Sequence, residues 1–215
     1  MKLFIYDHCP FCVKARMIFG LKNLPVRLVT LLNDDEATPI SMIGQKMAPI
    51  LQKDDGSYMP ESMDIVHYID NLDGKPLLTG ATNPAIAEWL QHVSRYTLKL
   101  LLPRFANADF EEFATDNARR YFSDKKQAAI GDFATHLADS ADLIALLDSD
   151  LVNLAALIQS PEAVNGTLST DDINLFPLLR SLSIVAGVTL PDNVEAYRNR
   201  MAQRSDIPLL LDMEQ

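Results

Sequence analysis

Two short apolar runs rich in strand formers, KLFIYD at residues 2–7 and PVRLVTLL at 25–32, leave room between them for one helix and little else. A strand, a crossover helix and a second strand place the two strands in parallel, so the opening of the chain reads as a βαβ unit. The crossover, residues 10 to 22, carries Val13, Met17, Ile18 and Leu21 at helical spacing, with Gly20 as a mild breaker. Residues 35 to 43 make a weak helix. PILQKDDGSYMP then reads as a hairpin turning at Asp55-Gly56. ESMDIVHYIDNL closes the unit as a helix with Ile65, Val66, Ile69 and Leu72 on one face. The order is βαβαββα.

DGKPLLTGATNP, residues 73 to 84, holds two glycines and two prolines and reads as a linker between two domains, 1–72 and 85–215. Beyond it, alternation of the strand kind gives way to Ala/Leu-rich helical periodicity. Helices are expected near 84–102, 108–122, 124–157, 170–186 and 191–204. Ser169 and Asp172 stand three residues apart ahead of an apolar run, a reciprocal capping arrangement. Pro177 inside that run should kink the helix or sit near its first turns. The fold class is an α/β domain followed by an all-α domain.

Charge narrows the partners. The formal net charge is −10, which argues against nucleic acid and against an anionic membrane surface. Residues 1–80 carry 8 Lys/Arg against 10 Asp/Glu and the remainder 11 against 19, so most of the acid lies in the helical half. Apolar residues at the start give way to Asp7 and His8 too early for a signal sequence. No apolar run approaches the roughly 18 residues of a membrane span. A soluble cytoplasmic protein is expected, in which a persistent structural disulfide would be reduced.

The chain has two cysteines, Cys9 and Cys12, in HCPFCVKAR. A closed zinc site needs four ligands, and His67, His92 and His136 show no ligand spacing, so no metal site within one chain is expected. Pro10 stiffens the loop against a cluster shared between chains. A thiol pair between the first strand and its helix has a different chemistry. Pro10 suits the first helical position, where its missing N–H costs nothing. Cys9 then caps a helix N-terminus, whose free amides and dipole favour an anion and lower the thiol pKa. His8, Lys14 and Arg16 are candidate sources of added positive potential. Cys12, one turn further on, can close the disulfide. His8 reads first as an exposed polar residue ending the strand, and help to the thiolate is the alternative. Phe11 reads equally as a substrate-facing ring or a partly exposed apolar residue. Trp89 and LLLPRF (100–105) read as core, with a boundary pocket as the alternative.

CPFC resembles the CPYC centre of the dithiol glutaredoxins, with Phe11 in place of tyrosine. KMAPIL resembles the segment of the thioredoxin fold in which a cis proline faces the cysteines. MPESMDIVHYID and the helical second half resemble the glutathione transferases. The whole chain is similar to the two-domain bacterial glutaredoxins of glutathione-transferase-like architecture. The resemblance implies a thioredoxin-like domain and an all-helical transferase-like domain. It implies that Cys9 attacks and Cys12 resolves, that Pro49 is the cis proline, and that Ala48 pairs its backbone with the cysteinyl residue of glutathione. Glu61 and Ser62 would hold the γ-glutamyl end, where a helix start offers free N–H groups to a carboxylate. Phe11 would contact substrate.

The implied activity is glutathione-dependent reduction of glutathione mixed disulfides and protein disulfides. Glutathione would be a cosubstrate and no cofactor would be tightly bound. Partners would be glutathionylated or disulfide-containing proteins and, indirectly, the glutathione reductase system, with the chain itself a monomer. One rival is a glutathione transferase conjugating electrophiles, in which a Cys9/Cys12 pair would be superfluous. A second is a non-enzymatic protein binding a partner through the acidic helical domain. Conjugation of a chloronitrobenzene separates the first, and an unperturbed Cys9 thiol the second.

Overall fold

In the computed structural model, which describes residues 1–215, β1 (Lys2–Ile5) and β2 (Arg27–Thr30) pair in parallel with Leu3 opposite Leu28. β3 (Ile50–Gln52) runs antiparallel to β1, with Phe4 opposite Ile50, and β4 (Tyr58–Met59) runs antiparallel to β3. The sheet order is β2-β1-β3-β4. The hairpin turns where expected: Gly56 has φ +85° and its N–H reaches the Lys53 carbonyl at 3.0 Å.

This topology decides where a site can form. β1 and β4 are each antiparallel to β3, so they point the same way. The helices that follow them, α1 (Pro10–Leu21) and α3 (Ser62–Asp70), therefore begin at one edge of the sheet. The chain enters β3 from that same edge, directly after Pro49. Both cysteines, Ala48-Pro49 and Glu61-Ser62 thus converge although the sequence spreads them over more than fifty residues. α2 (Ala37–Ile43) lies between β2 and β3 and ends on Gly44 at φ +78°.

α1 buries Cys12, Val13, Ala15, Met17, Ile18, Phe19 and Leu21, more than one face can hold. It packs on α3 on one side and on α8 (Thr170–Leu182) and α9 (Asp192–Ser205) on the other. Each large apolar side chain buried there contributes roughly 1.5–3 kcal/mol. Gly20 is essential to this packing. A Cβ there would lie 1.8 Å from the backbone oxygen of Ser205, so only glycine lets α1 and the end of α9 meet.

The remaining helices are α4 (Pro84–Asn107), α5 (Asp116–Ile130), α6 (Phe133–Ala138) and α7 (Ser140–Ala155). Several expectations need correction. The first helix runs through Pro103 to Asn107, because Leu101, Leu102, Phe105 and Ala106 are all buried and packing outweighs the lost hydrogen bond. The expected 108–122 helix starts only at Asp116, where Thr115 accepts the Ala118 N–H. The expected 124–157 helix is three segments: Gly131 at φ +96° ends α5, and Asp132 caps α6 through the Thr135 N–H at 2.8 Å. The Ser169–Asp172 capping box is present. Pro177 lies in the middle of α8, not in its first turn. Leu72 falls after the end of α3 and is 46% exposed, so it does not share the buried face of Ile65, Val66 and Ile69.

The segment between α3 and α4 is tied at both ends. The Asp70 carboxylate accepts the N–H groups of Leu77 (2.8 Å) and Leu78 (3.2 Å). Asn83 N–H reaches Asp171 at 2.7 Å and Gly80 N–H reaches the Leu168 carbonyl at 2.7 Å. No helix is long and apolar enough to cross a membrane.

Candidate active site

β1 ends at Ile5 and α1 begins at Pro10, so Cys9 is the N-cap of α1, extended at φ −75° and ψ 119°. Cys12 lies one turn in and is fully buried, and both thiols are free. The two sulfurs titrate in opposite directions. The Cys12 thiol donates to Cys9, and with the charge of His8 and the free amides of Cys12 and Phe11 it lowers Cys9 to about 6, against the cost of burial. Burial first, then the Cys9 thiolate itself, pushes Cys12 well above the ordinary thiol value. One sulfur is thus prepared as a thiolate and the other held as a thiol, with the Tyr6 N–H at 3.4 Å from the Cys12 sulfur.

Two cavities meet at Cys9. The larger, about 630 Å³, is an apolar cleft between the start of α1 and helices α4 and α8, with Phe11, Leu98, Leu101, Phe105 and Pro177 in its walls. The smaller, about 260 Å³, is lined by Tyr6, Ala48, Lys46, Tyr121 and Lys125. It is basic where the first is apolar, and Lys46 Nζ sits 3.7 Å from the centre of the Tyr121 ring.

The residues singled out in the sequence fall as follows. Phe11 is 55% exposed and lines the apolar cleft. The Ala48–Pro49 bond is cis, and Ala48 shares the smaller cavity with Cys9. Glu61 is exposed, caps α3, and holds φ +68° without being glycine. Ser62, the first residue of α3, is buried. Glu61 and Ser62 line neither of the two cavities that hold Cys9. The α3 start nevertheless presents unpaired N–H groups at the same sheet edge.

His8 is not the exposed strand-end residue expected. It is 7% exposed, boxed by Phe105, Phe110, Phe113 and Phe122 at ring separations of 5.1–5.9 Å, and its Nδ1 lies 2.7 Å from Glu112 Oε1. Nothing local in the sequence marks Glu112, because a residue 104 positions away becomes a partner only through the packing of the helical half. Lys14 lines the apolar cleft beside Cys9 and donates to Asn174 at 2.8 Å. Arg16 instead pairs with Asp7 and lines neither cavity that holds Cys9. Arg180, also unmarked in the sequence, is fully buried against Asp7. Trp89 is core, its indole N–H on the Asp150 carbonyl at 2.7 Å, whereas Leu101, Leu102 and Phe105 of LLLPRF serve both the core and the cleft.

Residues 85–214 match the family described as the C-terminal domain of glutaredoxin 2, and residues 3–77 match the N-terminal domain of glutathione S-transferase. Glutaredoxin 2 of Escherichia coli K12 is 62% identical over 213 residues, 99% of each chain. The crystal structure of glutaredoxin 2 from Salmonella typhimurium, in complex with glutathione, superposes with a TM-score of 0.99 at 64% identity, covering 100% of this chain and 98% of that one. Gtt2 of Saccharomyces cerevisiae shares the fold at a TM-score of 0.57 and 20% identity, covering 99% of this chain and 100% of its own. With two thiols of opposite character at the head of α1 and a match along the whole chain, the protein belongs to the glutaredoxin 2 family.

Proposed function

We propose that this protein is a glutathione-dependent thiol–disulfide oxidoreductase that works through a Cys9/Cys12 dithiol centre, and the opposed thiols at the start of α1 carry that reading. The Cys9 thiolate attacks the glutathione sulfur of a mixed disulfide. The S–S bond breaks, the substrate sulfur leaves as a thiolate and takes a proton from solvent, and Cys9 is left joined to glutathione. A second glutathione thiolate attacks that sulfur, releasing oxidised glutathione and restoring Cys9. With a protein disulfide, Cys12 loses its proton and attacks the Cys9 mixed disulfide, releasing reduced protein and leaving Cys9–Cys12 oxidised. A low thiol pKa gives Cys9 both a high thiolate fraction and good leaving-group character.

Glutathione is supported by the 64% identical relative solved with it. In this reading the Ala48 backbone pairs with the cysteinyl unit beside cis Pro49, Glu61 and Ser62 take the γ-glutamyl end at the start of α3, and Phe11 borders the substrate cleft. The working division of the chain is a redox domain over 1–72, a linker over 73–84 and a helical domain over 85–215. The protein acts as a monomer in the cytoplasm, where reduced glutathione supplies electrons and the glutathione reductase system regenerates it from the oxidised form.

Single substitutions in a glutathione-mixed-disulfide assay test the roles. Cys9→Ser abolishes turnover and Cys12→Ser leaves much of it, while reduction of protein disulfides fails in both. A Cys12→Ser protein inactive on the mixed disulfide would overturn the assignment. Mass spectrometry should trap the Cys9–glutathione adduct in Cys12→Ser.

A further inference from the structure

Glu112 stands in a single 3-10 turn of the helical half, Glu111–Phe113, and is wholly buried. Its Oε1 accepts two hydrogen bonds from one residue, the His8 backbone N–H at 2.9 Å and His8 Nδ1 at 2.7 Å. Its Oε2 has no partner. A buried carboxylate with an unpaired oxygen is costly, and an apolar residue of similar volume would suit a box of phenylalanines better. Stability therefore does not explain Glu112, whereas its position does: both of its hydrogen bonds end on the residue immediately before Cys9. The Glu112 carbonyl also accepts the Asn33 N–H at 2.9 Å, so the turn is fixed to the α/β half by backbone as well.

We propose that Glu112 is a positioning residue for Cys9: it locks the His8 backbone and imidazole, and so holds the turn in which the attacking sulfur is presented. The inference rests on Cys9 being the attacking thiolate. The helical domain would then complete the nucleophile instead of merely flanking it. The groups facing this cluster are Tyr6 just after β1, Cys12 and Lys14 of α1, Lys46 ahead of β3, Tyr121, Lys125 and Lys126 of α5, and Arg180 of α8. The His8 charge is one of the causes that lower the Cys9 thiol, so a loosened imidazole should be read in that titration.

The test is alkylation of Cys9 by iodoacetamide against pH in the reduced full-length protein, which needs no glutathione and so stands apart from the identity of the reductant. Glu112→Gln keeps the shape and one acceptor oxygen but removes the charge. Losing that charge alone would lower the Cys9 thiol, so a rise of its midpoint by about one pH unit, a tenfold fall in the thiolate-to-thiol ratio below that midpoint, reads the release of His8. His8→Gln should give a similar shift, and the double variant should add little to either. Native circular dichroism with a midpoint within about 0.2 units of the parent in either single variant would overturn the proposal. In the unaltered protein, nitrogen-15 shifts of His8 should show Nδ1 protonated across the titration, and a bare Nδ1 would overturn it without any variant.

Discussion

The Arg180 guanidinium, fully buried in α8, donates to the Asp7 carbonyl at 2.7 Å and to the Asp7 carboxylate at 2.9 Å. Arg16 of α1 reaches the same carboxylate. Asp7 and His8, the two residues ahead of Cys9, are therefore both held by charged side chains of the helical half, Arg180 and Glu112.

Asp7→Asn should destabilise the fold by about 3–5 kcal/mol, because it leaves Arg180 buried without its counter-charge. Urea unfolding at neutral pH measures this, and Asp7→Asn combined with Arg180→Leu should recover part of the loss. Burial alone would raise the Asp7 carboxyl, but the charges of Arg180 and then Arg16 lower it below its usual value. Its stabilising contribution is thus complete above the ordinary carboxylate range, about pH 4, and is lost as pH falls through the lowered folded value. Acid unfolding of the parent should be steeper than that of Asp7→Asn, and equal acid slopes would contradict the pairing.

Cys12→Ala should raise the Cys9 titration from about 6, since the Cys12 thiol is the first cause that lowers it. Cys12→Ser keeps an O–H donor and should raise it less. Thiolate absorbance in the far ultraviolet, followed against pH, separates the two. The lowered Cys9 value also predicts that the reduced protein gains stability as pH rises from about 6 towards the unfolded thiol value, and loses it again on acidification. Cys9→Ser should flatten that dependence in denaturant midpoints.

Gly20→Ala should destabilise by about 1–3 kcal/mol, the range for overpacking, or more if the backbone cannot yield. The obstacle is the Ser205 backbone oxygen, 1.8 Å from where the added methyl group would stand, so no side-chain rotation relieves it. Gly44→Ala meets no neighbour but must adopt φ +78°, which gives a backbone-strain control without a clash. A Gly20→Ala protein as stable as the parent by thermal unfolding would show that α1 and α9 can separate freely.

The strand-helix order of the first seventy residues was legible because each element declares itself locally: a short apolar run of strand formers in KLFIYD, a turn at Asp55-Gly56, a helical face at Ile65, Val66 and Ile69. The thiol pair was legible for the same reason, since Cys9-Pro10 is a helix start written in adjacent residues. The helical half was read less accurately. Thr115, Gly131 and Asp132 punctuate it, but an Ala/Leu-rich sequence overrides such short signals in any periodicity count. Pro103 misleads in the opposite direction, because a helix with its whole flank buried tolerates a proline that local rules would end it on.

By itself the sequence determined that a thiol pair would sit at the head of a helix after the first strand, with the chemistry that position gives to Cys9. Only the tertiary structure decided that His8 is buried, that Glu112 and Arg180 hold the two residues before Cys9, and that Cys9 opens on one apolar and one basic cavity. Those relationships join residues more than a hundred positions apart. They arise from the packing of α1 against α8 and of the Phe110–Phe113 segment around His8, and no local pattern in the chain encodes a contact of that separation.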